Sequence, residues 1–178
     1  RAQAFYAQQV EAAARHLDQI ARGMDSDIQM LKGISTMVAN GEDSRRALRR
    51  FGPDAIPSAM AYETRRQRWT QDRIQRDLSL SLALLAKHLG ANEIFVLNAA
   101  GDCVASSNAG KAASFVGTNY ADRDYFRQAR AGLFGHQYAM GRTSKRPGLY
   151  YSAPVADKLL FVGAVVVKRD MTGFAHWT

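Results

Sequence analysis

Residues 159–168 read LLFVGAVVVK. From Phe161 to Val167 every position is apolar or glycine, so neither alternating face of an extended chain suits water. Such a strand belongs at the centre of a sheet, covered on one side by a long helix and on the other by loops or a ligand. Outward from it, His136–Thr143 and Leu149–Pro154 read as strands joined by the Lys145–Gly148 turn. Glu93–Leu97 and Cys103–Ser106 flank the turn residues Ala100, Gly101 and Asp102 as a hairpin. With a short helix from about Asp122 to Ala131, this predicts five strands in one antiparallel layer.

The first half of the chain has a different period. Val10, Ala13, Leu17, Ile20, Met24, Ile28, Leu31 and Val38 recur mostly at steps of three and four, one face of a helix weakened locally by Gly23 and Gly33. Asn40 and Gly41 supply a left-handed stop, and Ser44 caps a short basic turn ending at Phe51, Gly52 and Pro53. A second long helix begins after Pro57, carries Ile74, Leu78, Leu82, Leu85 and Leu89, and stops at Gly90. The first helix, about 55 Å at about 1.5 Å per residue, is longer than a single-layer sheet covers. Its stripe serves as core toward the C-terminal end and as a seam with a second subunit toward the N-terminal end.

With 178 residues, 47% hydrophobic and 22% charged, and only 4 Pro, the chain is one domain with an appendage, too small for two large domains and too apolar for wholesale disorder. A net charge of +8 favours anionic partners without choosing among them. The single Cys103 excludes an internal disulfide and a multi-cysteine metal site. No run reaches the roughly 18 apolar residues of a membrane span, and the chain, starting at Arg1, is read as excised from a longer polypeptide. Gly135–Thr143 misses the phosphate-loop spacing and its lysine, there is no G-x-S-x-G elbow, and His16, His88, His136 and His176 are scattered. An enzyme, a cofactor and a metal are therefore not expected. The runs Arg45, Arg46, Arg49, Arg50 and Arg65, Arg66, Arg68, Arg73, Arg76 resemble a phosphate-binding footprint. Glu63, Asp72 and Asp77 interrupt the second run, which reads as a solvated helix surface and not a nucleic-acid interface.

The chemistry concentrates in residues 115–152, FVGTNYADRDYFRQARAGLFGHQYAMGRTSKRPGLYYS. Tyr120, Arg123, Tyr125 and Phe126 cluster at a helix start, where free N–H groups favour an anion. Arg142, Thr143 and Ser144 sit at a strand end, and Lys168 closes an otherwise apolar strand whose same-face neighbours are Val166 and Ala164. A five-strand sheet of this order brings the three stretches to one side, where buried positive charge needs compensation.

Four strings carry a family resemblance: F-V-G-x-N at Phe115–Asn119, R-x-Y-F at Arg123–Phe126, G-x-T-S-x-x-P-G-x-Y-x-S-x-P-V at Gly141–Val155, and V-V-V-K-x-D at Val165–Asp170. Over Ile94–Trp177 the chain resembles the periplasmic Cache (PAS-like) sensor domains of bacterial transmembrane receptors, most closely those of C4-dicarboxylate sensor histidine kinases. The resemblance implies a long helix rising from an inner-membrane span, a membrane-distal PAS-like pocket, and a crossing toward a second lobe at Trp177 and Thr178. It also implies that Tyr120, Arg123 and Lys168 hold carboxylates, and that Gly141–Ser144 supplies hydroxyl and backbone donors. At Arg142 those sensors carry a small hydroxyl residue, so the arginine either adds charge to the pocket or turns outward. Amino-acid-binding Cache domains carry R-x-W-Y, whereas Tyr125 and Phe126 stand here.

The expectation is an α+β, PAS-like five-stranded antiparallel sheet packed on long N-terminal helices: residues 1–90 a helical stalk, 91–170 the ligand-binding domain, 171–178 the start of the crossing. Arg123 and Lys168 neutralise a small carboxylate, Tyr120 and Thr143 hydrogen-bond it with Arg142 and Ser144 beside them, and Tyr138, Met140 and Tyr151 form walls. The full receptor is membrane-anchored, with its sensor in the periplasm, and dimerises through helix one. Two other classes stay open: a basic module for nucleic acid or anionic membrane, and a ligand-free dimerisation or partner-binding Cache domain.

Overall fold

The computed structural model of the chain describes residues 1–53, 60–142 and 144–171. The helix start assigned after Pro57, the site residue Thr143, and Trp177 with Thr178 lie outside the described residues. Helix α1 (Ala2–Ala39) runs unbroken through Gly23 and Gly33. Only its C-terminal part is buried, at Leu31, Ile34, Ser35, Val38 and Ala39, whereas Phe5, Tyr6, Val10 and Leu17 are each more than half exposed. The stripe is thus core at one end and unpartnered within a single chain at the other.

Helix α2 (Glu42–Arg50) follows without the expected left-handed stop: Asn40 keeps a right-handed φ of −86°, and Gly41 is extended and takes the N-cap position. Ser44 is accordingly not the cap. Its hydroxyl donates to Val38 O at 2.8 Å and ties α2 to the end of α1.

The second long helix is two helices, α3 (Tyr62–Gln71) and α4 (Arg73–Leu89). Asp72 makes the break, because its extended backbone ends α3 while its carboxylate accepts from the amides of Ile74 and Gln75, an N-cap for α4. Gly90, at φ 72°, ends α4 where glycine is favoured. The solvated reading of the second arginine run fails at Arg65, which is buried. Its Nε and Nη2 donate to Gly117 O, Nη1 donates to Met60 O, and the guanidinium lies 3.6 Å from Asp102 and over the Trp69 ring. The packing of α3 against the loop before Tyr120 buries it, which the local pattern of charges does not reveal.

Strands β1 (Glu93–Asn98), β2 (Cys103–Ser106), β3 (Gly135–Met140), β4 (Pro147–Asp157) and β5 (Leu160–Asp170) form one antiparallel sheet in the order β2-β1-β5-β4-β3, with helix α5 (Asp124–Arg130) between β2 and β3. The strand apolar on both faces is central, as its sequence requires. Val165 and Val167 face a core shared with Ile94, Val96, Val155 and, from the helices, Leu31, Ile34, Leu48 and Leu82. Ala164 and Val166 face a second, aromatic core of Phe95, Phe115, Tyr120, Tyr125, Phe126 and Tyr150. Helix α1 lies over β4 and β5 and helix α4 over β1 and β2, while α5 and the β2–α5 loop cover the aromatic face. The fold is α+β, a long N-terminal helix packed on a five-stranded antiparallel sheet.

Candidate functional site

Arg123 occupies the N-cap position of α5 with an extended backbone. The helix start does not itself hold an anion, for α5 has seven residues and the Asp124 amide already donates to Gln137 Oε1 at 3.0 Å. What the position provides is the side chain. Arg123 Nη2 donates to Met140 O at 3.2 Å, and its Nε is buried without a hydrogen-bond partner. Neither flanking carboxylate serves it, because Asp122 pairs with Arg142 and Asp124 with Arg127. Among the described residues no ion pair reaches the Arg123 guanidinium.

Arg142 turns outward. Its Nη1 donates to Asn119 O at 3.2 Å, its Nη2 pairs with Asp122, and its guanidinium stacks over the Tyr120 ring. That hydrogen bond holds the Asp122 carboxyl below its ordinary range and raises the Arg142 guanidinium. The arginine therefore clasps the end of β3 to the loop before α5.

Lys168 is 2% exposed. Its stem passes Gly148 on β4, where a Cβ would meet Lys168 Cε at 3.0 Å. Its ammonium donates to Ser144 Oγ at 2.6 Å, lies 3.4 Å from Asp170 Oδ1, and sits over the Tyr150 ring. Gly141 leaves the room beneath this group: a Cβ there would strike Ser144 Oγ and stand 3.1 Å from Lys168 Nζ and 3.2 Å from the Tyr150 hydroxyl. Three polar atoms from three segments thus converge over one glycine.

Phe95, Phe115, Tyr120, Tyr125 and Tyr150 complete the walls around Arg123, with Tyr125 and Tyr150 stacked at 5.2 Å. Burial pushes the phenols of Tyr120, Tyr125 and Tyr150 up, so at neutral pH all three are hydroxyls able to donate to an anion. The free space they enclose with Arg123 and Ser144 has room for about one water molecule. Beyond Ser144 and Phe115 opens a polar cavity of about 420 Å³ that includes Glu93, Lys111, Arg146, Lys168 and Asp170.

The structure brings Tyr120, Arg123, Arg142 and Ser144 together around this space, with the Lys168 ammonium at Ser144. It corrects the three wall residues. In register, Tyr138 faces Leu149 and His136 faces Tyr151, and these side chains lie on the α1 side of the sheet. Tyr138 and Met140 are 63% and 56% exposed, and Tyr151 packs beside His136 and Phe134. Met140 reaches the site only through its carbonyl. The space around Arg123 is instead lined by Tyr125, already marked by its place at the helix start, and by Tyr150 and Phe95, which the sequence reading does not include; Tyr150 is the β4 neighbour that shares a face with Lys168.

Glu93 lies opposite Lys168 on β1 and accepts from Ser107 Oγ. Burial raises its carboxyl above the ordinary value, outweighing Ser107 and the charges of Lys111 and Lys168. The folded protein therefore binds this proton more tightly than the unfolded chain does. The resulting stability is present at acid pH and lost as pH rises through the folded-state value. Glu93→Gln is expected to raise the melting temperature at pH 7.5, with a difference that shrinks toward zero below about pH 3.5, where both states hold the proton. Thermal melts across that range check it.

No family model matches the chain. Over 108 residues, 60% of its length, it is 43% identical to the C4-dicarboxylate transport sensor protein DctB of Rhizobium meliloti. Over 98 residues it is 33% identical to the protein of the same name from Pseudomonas aeruginosa. It spans only about a sixth of these relatives, 17% and 16% respectively. Its fold matches the sensor domain of the Vibrio cholerae histidine kinase DctB with a TM-score of 0.78, over 96% of this chain and 59% of that one, at 23% identity.

Proposed function

We propose that this chain, a PAS-like Cache sensor domain of the kind found in C4-dicarboxylate sensor kinases, captures a small dicarboxylate between Arg123 and Lys168 and passes the event to a kinase through α1. The domain is a binding module on the periplasmic side of the inner membrane, and catalysis belongs to the rest of the receptor. No helix among the described residues is long and apolar enough to cross a membrane.

One observation carries the ligand class. Arg123 presents a guanidinium with a buried, unpartnered Nε and, among the described residues, no carboxylate partner, beside a second cation, Lys168, which is buried almost completely with Asp170 at 3.4 Å. The Arg123 charge calls for an opposite one, and a carboxylate matches the arginine fork in geometry. Tyr120 supplies a neutral hydroxyl. Lys168 has three N–H donors and spends one on Ser144. Charged hydrogen bonds contribute about 1.5–3 kcal/mol each. Three or four of them total about 4.5–12 kcal/mol, a range that spans the roughly 8 kcal/mol of a micromolar complex.

The same geometry couples binding to movement. A four-carbon diacid needs several times the room of one water, so binding displaces the segment after Gly141, where Arg142 and Ser144 close the space. That segment joins β3 to β4, and β4 lies under α1. A shift there biases α1, whose exposed N-terminal stripe of Phe5, Tyr6, Val10 and Leu17 seats a second copy.

Calorimetry of the folded chain with succinate, malate, fumarate, citrate and pyruvate tests the reading. Succinate, malate and fumarate are expected to bind with dissociation constants of about micromolar order and the monoacid pyruvate at least about tenfold more weakly. A folded protein that binds none of them refutes the carboxylate assignment.

A further inference from the structure

We propose that the ligand enters through the cavity outside Lys168 and that Ser144 is the door between that cavity and Arg123, an inference that rests on the carboxylate reading above. The two spaces share walls at Phe115 and Ser144. The inner one has room for about one water, and the outer one, of about 420 Å³, opens to solvent past the exposed residues Lys111 and Ala113.

The closures on the two sides differ in strength. On the far side Arg142 seals the inner space with a charged pair to Asp122, a hydrogen bond to Asn119 O, and its stack on Tyr120. On the side of the outer cavity, among the described residues, the hydrogen bond from Lys168 Nζ to Ser144 Oγ and the looser Arg146–Asp170 pair at 3.9 Å link the elements that part. A carboxylate arriving there replaces that bond in kind, since the ammonium donates to it instead and the hydroxyl is released to follow. Opening at Ser144 therefore leaves no buried donor unsatisfied, whereas opening at Arg142 breaks a pair and bares a ring.

Charge favours the same route. Lys111, Arg146 and Lys168 line the outer cavity against Glu93 and Asp170. Asp170 is engaged by Lys168 at 3.4 Å and Arg146 at 3.9 Å. A dianion meets net positive charge on its way in.

Site-directed blocking tests the route. The native Cys103 is buried and its thiol is pushed far up by burial, so maleimides leave it alone. Ala113→Cys places a reactive thiol at the mouth on an exposed position, and Leu159→Cys, on a wholly exposed turn residue, is the control. Each variant is labelled with fluorescein maleimide, its melting temperature is checked, and exchange of radiolabelled succinate is followed. The labelled Ala113→Cys protein is expected to take up succinate at least about tenfold more slowly than the unlabelled one. Labelled with succinate aboard, it is expected to release the ligand more slowly by a similar factor, while labelled Leu159→Cys exchanges like the unmodified chain. Exchange at the unmodified rate in labelled Ala113→Cys overturns the route, as does a loss of affinity that comes only from faster release. If the unmodified chain binds no succinate, the carboxylate reading falls and the route with it, a result distinct from unhindered exchange.

Discussion

Arg123→Ala is expected to weaken succinate binding at least about 100-fold while leaving the melting temperature within about 2 °C of the unaltered chain, because two charged hydrogen bonds at about 1.5–3 kcal/mol each are lost from the complex and very little from the fold. Among the described residues the side chain makes one hydrogen bond, to Met140 O at 3.2 Å, while its Nε goes unpartnered. Arg123→Lys keeps the charge and loses the planar fork, and an intermediate loss of about tenfold is expected. Calorimetry and thermal melts on the same preparations separate the two effects. Binding of Arg123→Ala within about threefold of the unaltered chain would remove Arg123 from the site.

Arg65→Met is expected to act in the opposite way, destabilising the fold by about 3–5 kcal/mol, the usual cost of stranding one partner of a buried ion pair. The guanidinium is the common partner of Gly117 O, at 3.0 and 2.7 Å, and Met60 O, at 3.1 Å, and it lies 3.6 Å from the Asp102 carboxylate. Asp102 is 2% exposed, and among the described residues the remaining side-chain donor to it is the Asn119 amide. Methionine fills the volume but satisfies none of these acceptors. Adding Asp102→Asn to Arg65→Met removes the stranded charge and is expected to recover a substantial part of the loss, which urea unfolding of the two single variants and the double variant measures. An additive cycle would show that the pair is not coupled. Because Gly117 and Asn119 lead directly into Tyr120, the single variant should also loosen the aromatic wall of the site.

The amino-acid order by itself determined the five strands, the central place of β5, the long first helix, and the face of β5 on which Lys168 stands. Each rests on a local property: an apolar run leaves only one position in a sheet, and steps of three and four fix a helix face wherever the helix packs. It also marked Arg123, Ser144 and Lys168 as charge and polarity out of proportion to their surroundings. Only the tertiary structure decided which of Tyr150 and Tyr151 faces Arg123, and that Tyr138 and Met140 face away. Alternation of period two has no sign of its own. In the edge strand β3 and its partner β4 both phases carry aromatic or apolar residues, so the phase is set by the register of β4 on β5, made of hydrogen bonds to residues distant in the chain. The burial of Arg65 and the outward turn of Arg142 have the same origin, since each depends on a neighbour that folding alone brings near: Gly117 for the first, Asp122 and Asn119 for the second.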